Sequence, residues 1–493
     1  MRSVVVDSDF VAEWAYYGTS PTCSEGARVS TNPAPTALRR NLGLWAIVGL
    51  GLGYMTPMTV FDTFGIVTGE TNGVVPSAYL FALVAMVFTA VSYGRMTRVF
   101  PSAGSAYTYA SETIHPNVGF LVGWSSLLDY LLLPLVNALI VRLYLESFFP
   151  QVPGWIWVVG YVAAITAMNL FSMSSTSKVN GVLVAFQIVL IAVFVALTWA
   201  SLSGGAGNGT AFSLAPLFHE GVHLGAVIGG ATVVCFSFIG FDAITMYTEE
   251  AKDTRTVPKA IVLALMIGGA IFFVAAWFAQ SRFPTLAGFH FTDDTLPEIA
   301  LKTGGLFFQI LFISAAVAAA VASSLASHAS VSRMIYVMAR NGNGRISRVL
   351  SFVHPKYRTP AVAVLLVGAV SMLAAAFTLE FVSSMINFGA LIAFTVVNAT
   401  VIIHFAIRKR QVRGAKQIVR NIVLPAIGMV LTGVLWANLH LDALTYGLIW
   451  LAIGIVTLLV LTRAFRKRLG VKLDEDGDAA IITREGAPSE VRS

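Results

Sequence analysis

The chain has 493 residues, of which 56% are hydrophobic and only 12% charged, with a mean hydropathy of +0.77 and a net charge of +7 at pH 7. That balance excludes an ordinary soluble domain and points to a protein that lives in lipid. No P-loop, HExxH or GxSxG pattern occurs, and no soluble domain separates the apolar segments, which argues against an ATP-driven pump, a sensor with its own signalling domain and the commoner hydrolases.

Residues 1–41 are polar, with Pro, Ser and Thr over Thr19–Thr36, lack the apolar centre of a signal peptide, and read as a disordered cytoplasmic tail. Twelve apolar segments follow, at roughly 42–67, 76–99, 118–147, 153–174, 178–203, 224–248, 258–281, 305–338, 360–378, 381–406, 419–438 and 441–462. A membrane span needs about 20 such residues. The eighth is longer than that, so its last turns are expected to project into the cytoplasm. Residues 469–493 read as a second disordered cytoplasmic tail.

Charge placement fits this order. With a cytoplasmic N-terminus, 29 of the 32 Lys and Arg fall on the cytoplasmic side and only Arg142, Arg282 and Lys302 lie opposite. So lopsided a split follows the positive-inside rule, and both termini are expected in the cytoplasm of a cell whose inner membrane holds the chain. The basic runs Arg408-Lys-Arg410 and Arg466-Lys-Arg468 then face anionic lipid and not nucleic acid. Cys23 and Cys235 form neither a disulfide pair nor a metal-ligand spacing.

Two of the spans are built to break. The first carries Gly49-Leu-Gly-Leu-Gly53-Tyr-Met-Thr-Pro57 at its middle, where glycine weakens a helix and Pro57 removes a backbone donor. The sixth carries Phe236-Ser-Phe-Ile-Gly240-Phe-Asp242. Unwound backbone at bilayer depth is tolerated only where protein buries it or a cavity needs it, and a pair of interrupted spans marks a transporter's binding site.

Charges inside spans are few and costly. Asp129 lies within the third span, Asp242 at the sixth break and Asp62 in the outer half of the first, and no Lys or Arg shares mid-membrane depth with them. Unpaired carboxylates in such a cavity attract a cationic ligand, a proton, or both. Keeping a lone carboxylate charged in a dry setting is costly, which suits a group that exchanges a proton. Helical spacing gathers Ser126, Tyr130, Leu133 and Asn137 on one strip of the third span, with Ser125 and Asp129 beside them. Ser384, Asn387, Leu391, Thr395 and Asn398 line the tenth, and Ser323, Ser324, Ser327, His328 and Ser330 the eighth. The plain reading of these last two stripes is packing between helices, with His328 a satisfied core histidine. For Asp242, at a helix break, a binding role outweighs packing. Asp129 is open to either, and Asp62 reads as a gate or accessory group.

These residues resemble the amino acid–polyamine–organocation superfamily of permeases. The sixth-span break, then Glu249-Glu250 and Pro258-Lys-Ala-Ile261, is similar to the superfamily's sixth-helix signature, and Ser332-Arg-Met-Ile-Tyr-Val-Met-Ala-Arg-Asn-Gly342 with Thr359-Pro360 to its eighth-helix exit. Within it the likeness is greatest to the bacterial putrescine importers, on Met55-Thr-Pro-Met-Thr-Val-Phe-Asp62, Ala103-Gly-Ser-Ala-Tyr-Thr-Tyr-Ala110, Val122-Gly-Trp-Ser-Ser-Leu-Leu-Asp-Tyr130 and Ala326-Ser-His-Ala-Ser-Val-Ser-Arg333.

The resemblance implies an all-α membrane fold of twelve helices in the LeuT arrangement. Residues 42–203 and 204–406 would be inverted five-helix repeats with discontinuous helices 1 and 6, and 407–468 two peripheral helices. It also implies proton-coupled uptake, with the first break at Gly49–Thr56, the acidic position of the sixth at Asp242 and a third-helix pocket at Asp129 and Tyr130. Some members place a lysine in the fifth helix as a substitute for sodium, where this chain offers Gln187. Members commonly have Leu-Pro soon after the Asn-Gly of the eighth-helix exit, where this chain has Asn343-Gly-Arg-Ile346.

The expected function is therefore that of a secondary importer of a small amine, putrescine first, and not of an enzyme. It needs no cofactor, metal or obligatory protein partner and runs on a proton gradient. Sodium is the alternative driver, with oxygens from Ser323, Ser324 and Ser327. The candidate substrate residues are Gly51, Thr56, Asp129, Tyr130, Ser237, Phe238, Phe241 and Asp242; Asp129 and Asp242 are the candidates for the coupled proton, and Asp62 and Asn387 for a gate. The rival readings are a permease or exchanger for an α-amino acid, in which the glycine-rich break would cradle a carboxylate, and an amine sensor that moves nothing.

Overall fold

The computed structural model describes residues 42–101, 105–171, 177–208, 210, 212–248, 251–290, 295–340, 345–354, 357, 359–461, 469–473 and 479–483. The N-terminal tail with Cys23, Glu249-Glu250, Asn343 and Arg466-Lys-Arg468 lie outside them. The described residues belong to one compact unit, Leu38–Ser493.

The first predicted span is three helices: α1 (Leu44–Met55), α2 (Thr59–Asp62) and α3 (Phe64–Thr71). Then come α4 (Val75–Val99), α5 (Ser105–Thr113), α6 (Pro116–Phe148), α7 (Gly154–Leu170), α8 (Ser177–Ser203) and α9 (Leu224–Phe238). A 3-10 turn, Ala243–Tyr247, completes the sixth span, before α10 (Val257–Arg282), α11 (Leu296–Arg340) and the short α12 (Arg345–Leu350). The chain ends in α13 (Ala361–Ser371), α14 (Leu379–Val401), α15 (Ala415–Ile418), α16 (Leu424–Ala437) and α17 (Leu441–Leu461).

Several starts are chemically specified. Proline stands in the first turn of α4, α6 and α10, where its missing N–H has no intrahelical partner to lose. At α14 the Thr378 hydroxyl accepts from the Phe381 N–H at 3.3 Å.

Among the described residues ten helices are long and apolar enough to cross a membrane, and two shorter apolar ones, Gly154–Leu170 and Ala361–Ala375, stand at the fourth and ninth predicted positions. The second of these ends in a 3-10 turn, Met372–Ala375, which rises farther per residue than α-helix. Apolar side chains on the outer surface fit lipid contact: on α17, Leu448, Ile449, Ile453, Val456 and Val460 are all exposed.

The sequence reading departs from the structure at three places. Before the expected eighth segment, 305–338, the structure adds a further helical stretch from Leu296, with Leu296, Ile299 and Ala300 buried, and the two meet at a non-helical Gly305 (φ 72°, ψ −172°). α5 lies in what reads as a loop. The C-terminal residues are not wholly irregular, since Leu469–Leu473 (β1) pairs antiparallel with Ala479–Thr483 (β2), Val471 opposite Ile481. The acidic Asp474-Glu-Asp-Gly-Asp478 between them hides that pairing from composition.

Candidate functional site

The first break is later than the glycine run suggests. α1 stays helical through Gly49, Gly51 and Gly53 and stops at Met55; Thr56 then takes φ 41°, ψ 92°. Pro57 has no N–H to offer the Gly53 carbonyl, so the helix loses its next bond there. The chain is recaptured by threonines: the Thr59 hydroxyl donates to the Thr56 carbonyl at 2.6 Å, and the two hydroxyls lie 2.5 Å apart.

The sixth break falls where it was expected. α9 ends at Phe238, Ile239 is extended, and Gly240 adopts φ 122°. Asp242 precedes the 3-10 turn, and its Oδ1 accepts from the Gly240 N–H at 3.2 Å. The two breaks touch. A Cβ on Gly240 would sit 2.7 Å from Tyr54 Cβ and 3.1 Å from the Met55 nitrogen. Gly51 serves this approach: a Cβ there would fall 2.4 Å from Ile244 Cδ1, so its missing side chain admits the 3-10 turn.

Asp129 reaches the same place from α6. It is 3% exposed and Asp242 6%, and the two carboxylates lie within electrostatic reach of each other. Asp129 Oδ1 is buried without a hydrogen-bond partner among the described residues, and no ion pair there involves either acid. α14 holds α6 close, since a Cβ on Gly389 would fall 2.4 Å from the Ser125 carbonyl. Pro134, inside α6, leaves the Tyr130 carbonyl without its helical donor, an extra acceptor next to Asp129.

Tyr130 is buried within reach of both acids, and so are Tyr54 on α1 and Tyr93 on α4. Those last two were not picked out from the sequence. Tyr54 sits inside the quoted break motif, a signal that was available; nothing around Tyr93 marks it. Two acids and three aromatic hydroxyls, with no Lys or Arg paired to the acids among the described residues, suit an organic cation, which carboxylates can neutralise and ring faces attract.

The other predicted residues are placed as follows. The Phe241 ring meets Tyr93 at 5.8 Å and Phe394 at 5.1 Å, beside the acids. Phe238 turns toward Phe272 (5.4 Å) and Tyr79, and the Ser237 hydroxyl bonds the Tyr79 hydroxyl at 3.0 Å. Asn387 donates to the Thr232 carbonyl at 2.9 Å and ties α14 to α9, while its own oxygen is buried without a partner among the described residues. Asp62 lies apart from the two acids' break residues, beyond the first break, where the Tyr144 hydroxyl donates to it.

The polar stripes bind helices to one another. Asn137 donates to Ser323 at 3.0 Å, Tyr161 to Ser324 at 2.8 Å, Asn398 to Thr89 at 3.0 Å, and His328 Nε2 meets the Val364 carbonyl at 3.0 Å. Gln187 is buried, and its amide donates weakly to Leu183 at 3.4 Å.

Comparison with known proteins agrees with this architecture. The chain is 46% identical over 439 residues, 89% of its own length and 97% of the relative's, to the low-affinity putrescine importer PlaP of Escherichia coli K12. It is 42% identical to the probable low-affinity putrescine importer PlaP of Klebsiella pneumoniae, over 38% of this chain and 94% of that one. The branched-chain amino acid permease BcaP of Bacillus subtilis is 25% identical over 89% of this chain and 96% of its own. The amino acid permease family's sequence model matches residues 42–462. The chain belongs to the amino acid permease family and is a multi-pass membrane transporter, not an enzyme.

Proposed function

We propose that the protein imports putrescine, or a closely related small diamine, across the inner membrane by proton-coupled alternating access. The observation that carries this reading is the pair of buried acids, Asp129 and Asp242, within electrostatic reach of each other near the two broken spans, with no Lys or Arg paired to them among the described residues. A diamine has an ammonium at each end and no carboxylate, so it needs two anionic partners. Asp242 and the break carbonyls near Ser237 and Phe238 hold one end. Asp129, with the Tyr130 carbonyl freed by Pro134, holds the other, and the Tyr54, Tyr93 and Tyr130 rings cover the charges. The short alkyl linker lies against Phe241. Thr56 and Gly51 shape the opposite wall. Two five-helix repeats, each opened by a broken span, would rock about this point with both termini in the cytoplasm.

The E. coli relative named as a putrescine importer supports the choice of substrate. The test is uptake of radiolabelled putrescine into proteoliposomes. Asp242→Asn is expected to reduce it to background while the protein still inserts and stays monodisperse; uptake at the wild-type rate refutes the assignment. An α-amino acid is the second reading, favoured by the relative named as a branched-chain amino acid permease. Excess unlabelled putrescine blocks uptake under the first reading, and excess leucine or ornithine under the second.

A further inference from the structure

A third acid is buried in this molecule, and the substrate site does not use it. Asp62, on α2, is 4% exposed. The Tyr144 hydroxyl of α6 donates to its Oδ1, and no ion pair among the described residues involves it. Its chain neighbour Phe61 packs edge-on against Phe194 and Phe312 at 4.9 and 5.0 Å.

Titratable groups on the neighbouring elements are placed as follows. Tyr144 of α6 and Tyr79 of α4 interact with Asp62. Arg142 of α6 turns to the Ala374 and Ala375 carbonyls, 3.0 Å from each, and to Glu146. On α11, Glu298 and Lys302 pair with each other at 3.3 Å. Lys259 and Arg282 stand at opposite ends of α10, and Cys235 of α9 is buried.

Asp62 is also wired to the substrate site. Its neighbour Thr63 contacts the Tyr79 hydroxyl at 3.4 Å, and Tyr79 bonds Ser237 at 3.0 Å, one residue before α9 ends. A carboxylate that neutralises a bound ammonium is not free to carry a proton as well, and the proposed function commits both Asp129 and Asp242 in that way. A carboxylate only accepts hydrogen bonds, whereas a carboxylic acid also donates. Protonation of Asp62 therefore changes its contact with Tyr144, and with it the grip of α6 on the segment between the first break and α3.

We propose that Asp62, held by Tyr144 and linked through Thr63, Tyr79 and Ser237 to the break after α9, is the group that carries the coupled proton. The proton is taken up from the outer solution onto the Asp62 carboxylate and released to the inner one after reorientation, moving inward with the substrate cation. This rests on the proton-coupled reading above.

The experiment uses the full chain in proteoliposomes with radiolabelled putrescine. Wild type is expected to accumulate it under an outside-acid gradient and to lose the accumulation with a protonophore. Asp62→Asn is expected to abolish gradient-driven accumulation while putrescine counterflow, which needs no net proton movement, stays within about twofold of wild type. Tyr144→Phe is expected to keep counterflow and displace the pH profile of accumulation. Wild-type-like accumulation by Asp62→Asn overturns the inference, as does loss of counterflow and putrescine binding together in a well-folded variant. If Asp62→Asn does not fold, Tyr144→Phe decides: an unchanged pH profile overturns it. A wild type indifferent to the gradient removes proton coupling itself, a failure visible without any variant.

Discussion

Gly240 carries two constraints at once. Its φ of 122° lies where L side chains are strained, and a Cβ would strike the Tyr54–Met55 backbone of the other break. Gly240→Ala is therefore expected to cost about 1–3 kcal/mol and to abolish putrescine uptake, read from thermal unfolding in detergent and from proteoliposomes. Gly49 is the control. A Cβ there meets nothing within 4 Å and the residue is helical, so Gly49→Ala should keep uptake and raise stability by up to about 1 kcal/mol. The contrast explains why the first break falls at the far end of the Gly49–Thr56 run. Glycine suggests weakness, but Gly51 lies in α1 because Ile244 must pass close to it. What stops the helix is Pro57 and its missing donor. Asp242 was legible because an acid at a helix break has few structural excuses. The aromatic cover from Tyr93 was not, because it depends on how α4 lies against the sixth span.

Helix-to-helix fastening is clearest where α6 meets α17. Trp124 Nε1 donates to the Trp450 carbonyl at 2.9 Å, and Trp450 Nε1 returns the bond to the Trp124 carbonyl at 3.0 Å. The rings stack with centroids 5.0 Å apart, and Gly454 leaves room for Trp124, since a Cβ would lie 2.4 Å from its Cδ1. α6 carries Asp129, so this clasp steadies one wall of the site from its lipid side. Trp450→Phe keeps the aromatic face and removes one bond, which predicts a loss of about 1 kcal/mol and a lower melting temperature with putrescine uptake largely kept. A collapse of uptake would instead place α17 in the moving part of the transporter. Such pairings have no signature in a single sequence. The spans themselves do, because twenty apolar residues are hard to mistake. α5 does not, because Ser105–Thr113 is polar and follows Pro and Gly.

At the scale of the molecule, contacts between helix ends fall into two groups, as alternating passages require. His440, just before α17, lies 3.5 Å from Glu70 at the end of α3 and 3.1 Å from Glu380 at the start of α14. The Asn208 N–H donates to the Ser281 carbonyl at the end of α10. A second group of contacts joins the opposite ends: Leu42 bridges to Ala251, Thr359 donates to the Leu170 carbonyl, and Arg408 donates to the Glu112 carbonyl. Alternating passages with a cytoplasmic N-terminus put every contact of the first group outside and every contact of the second inside. In that orientation the sequence assigns 29 of the 32 Lys and Arg to the inner side, the arrangement that an anionic inner leaflet favours. Thiol labelling tests this directly, because Cys235 is buried and Cys23 belongs to the N-terminal tail. A membrane-impermeant maleimide should label Cys23 only after the cells are permeabilised. Glu220→Cys, at an exposed position between α8 and α9 and in a Cys23→Ser background, should label in intact cells. The reverse pattern would invert the protein in the membrane. It would also move Asp62 to the cytoplasmic side of the first break, where a proton taken up from outside could not reach it first.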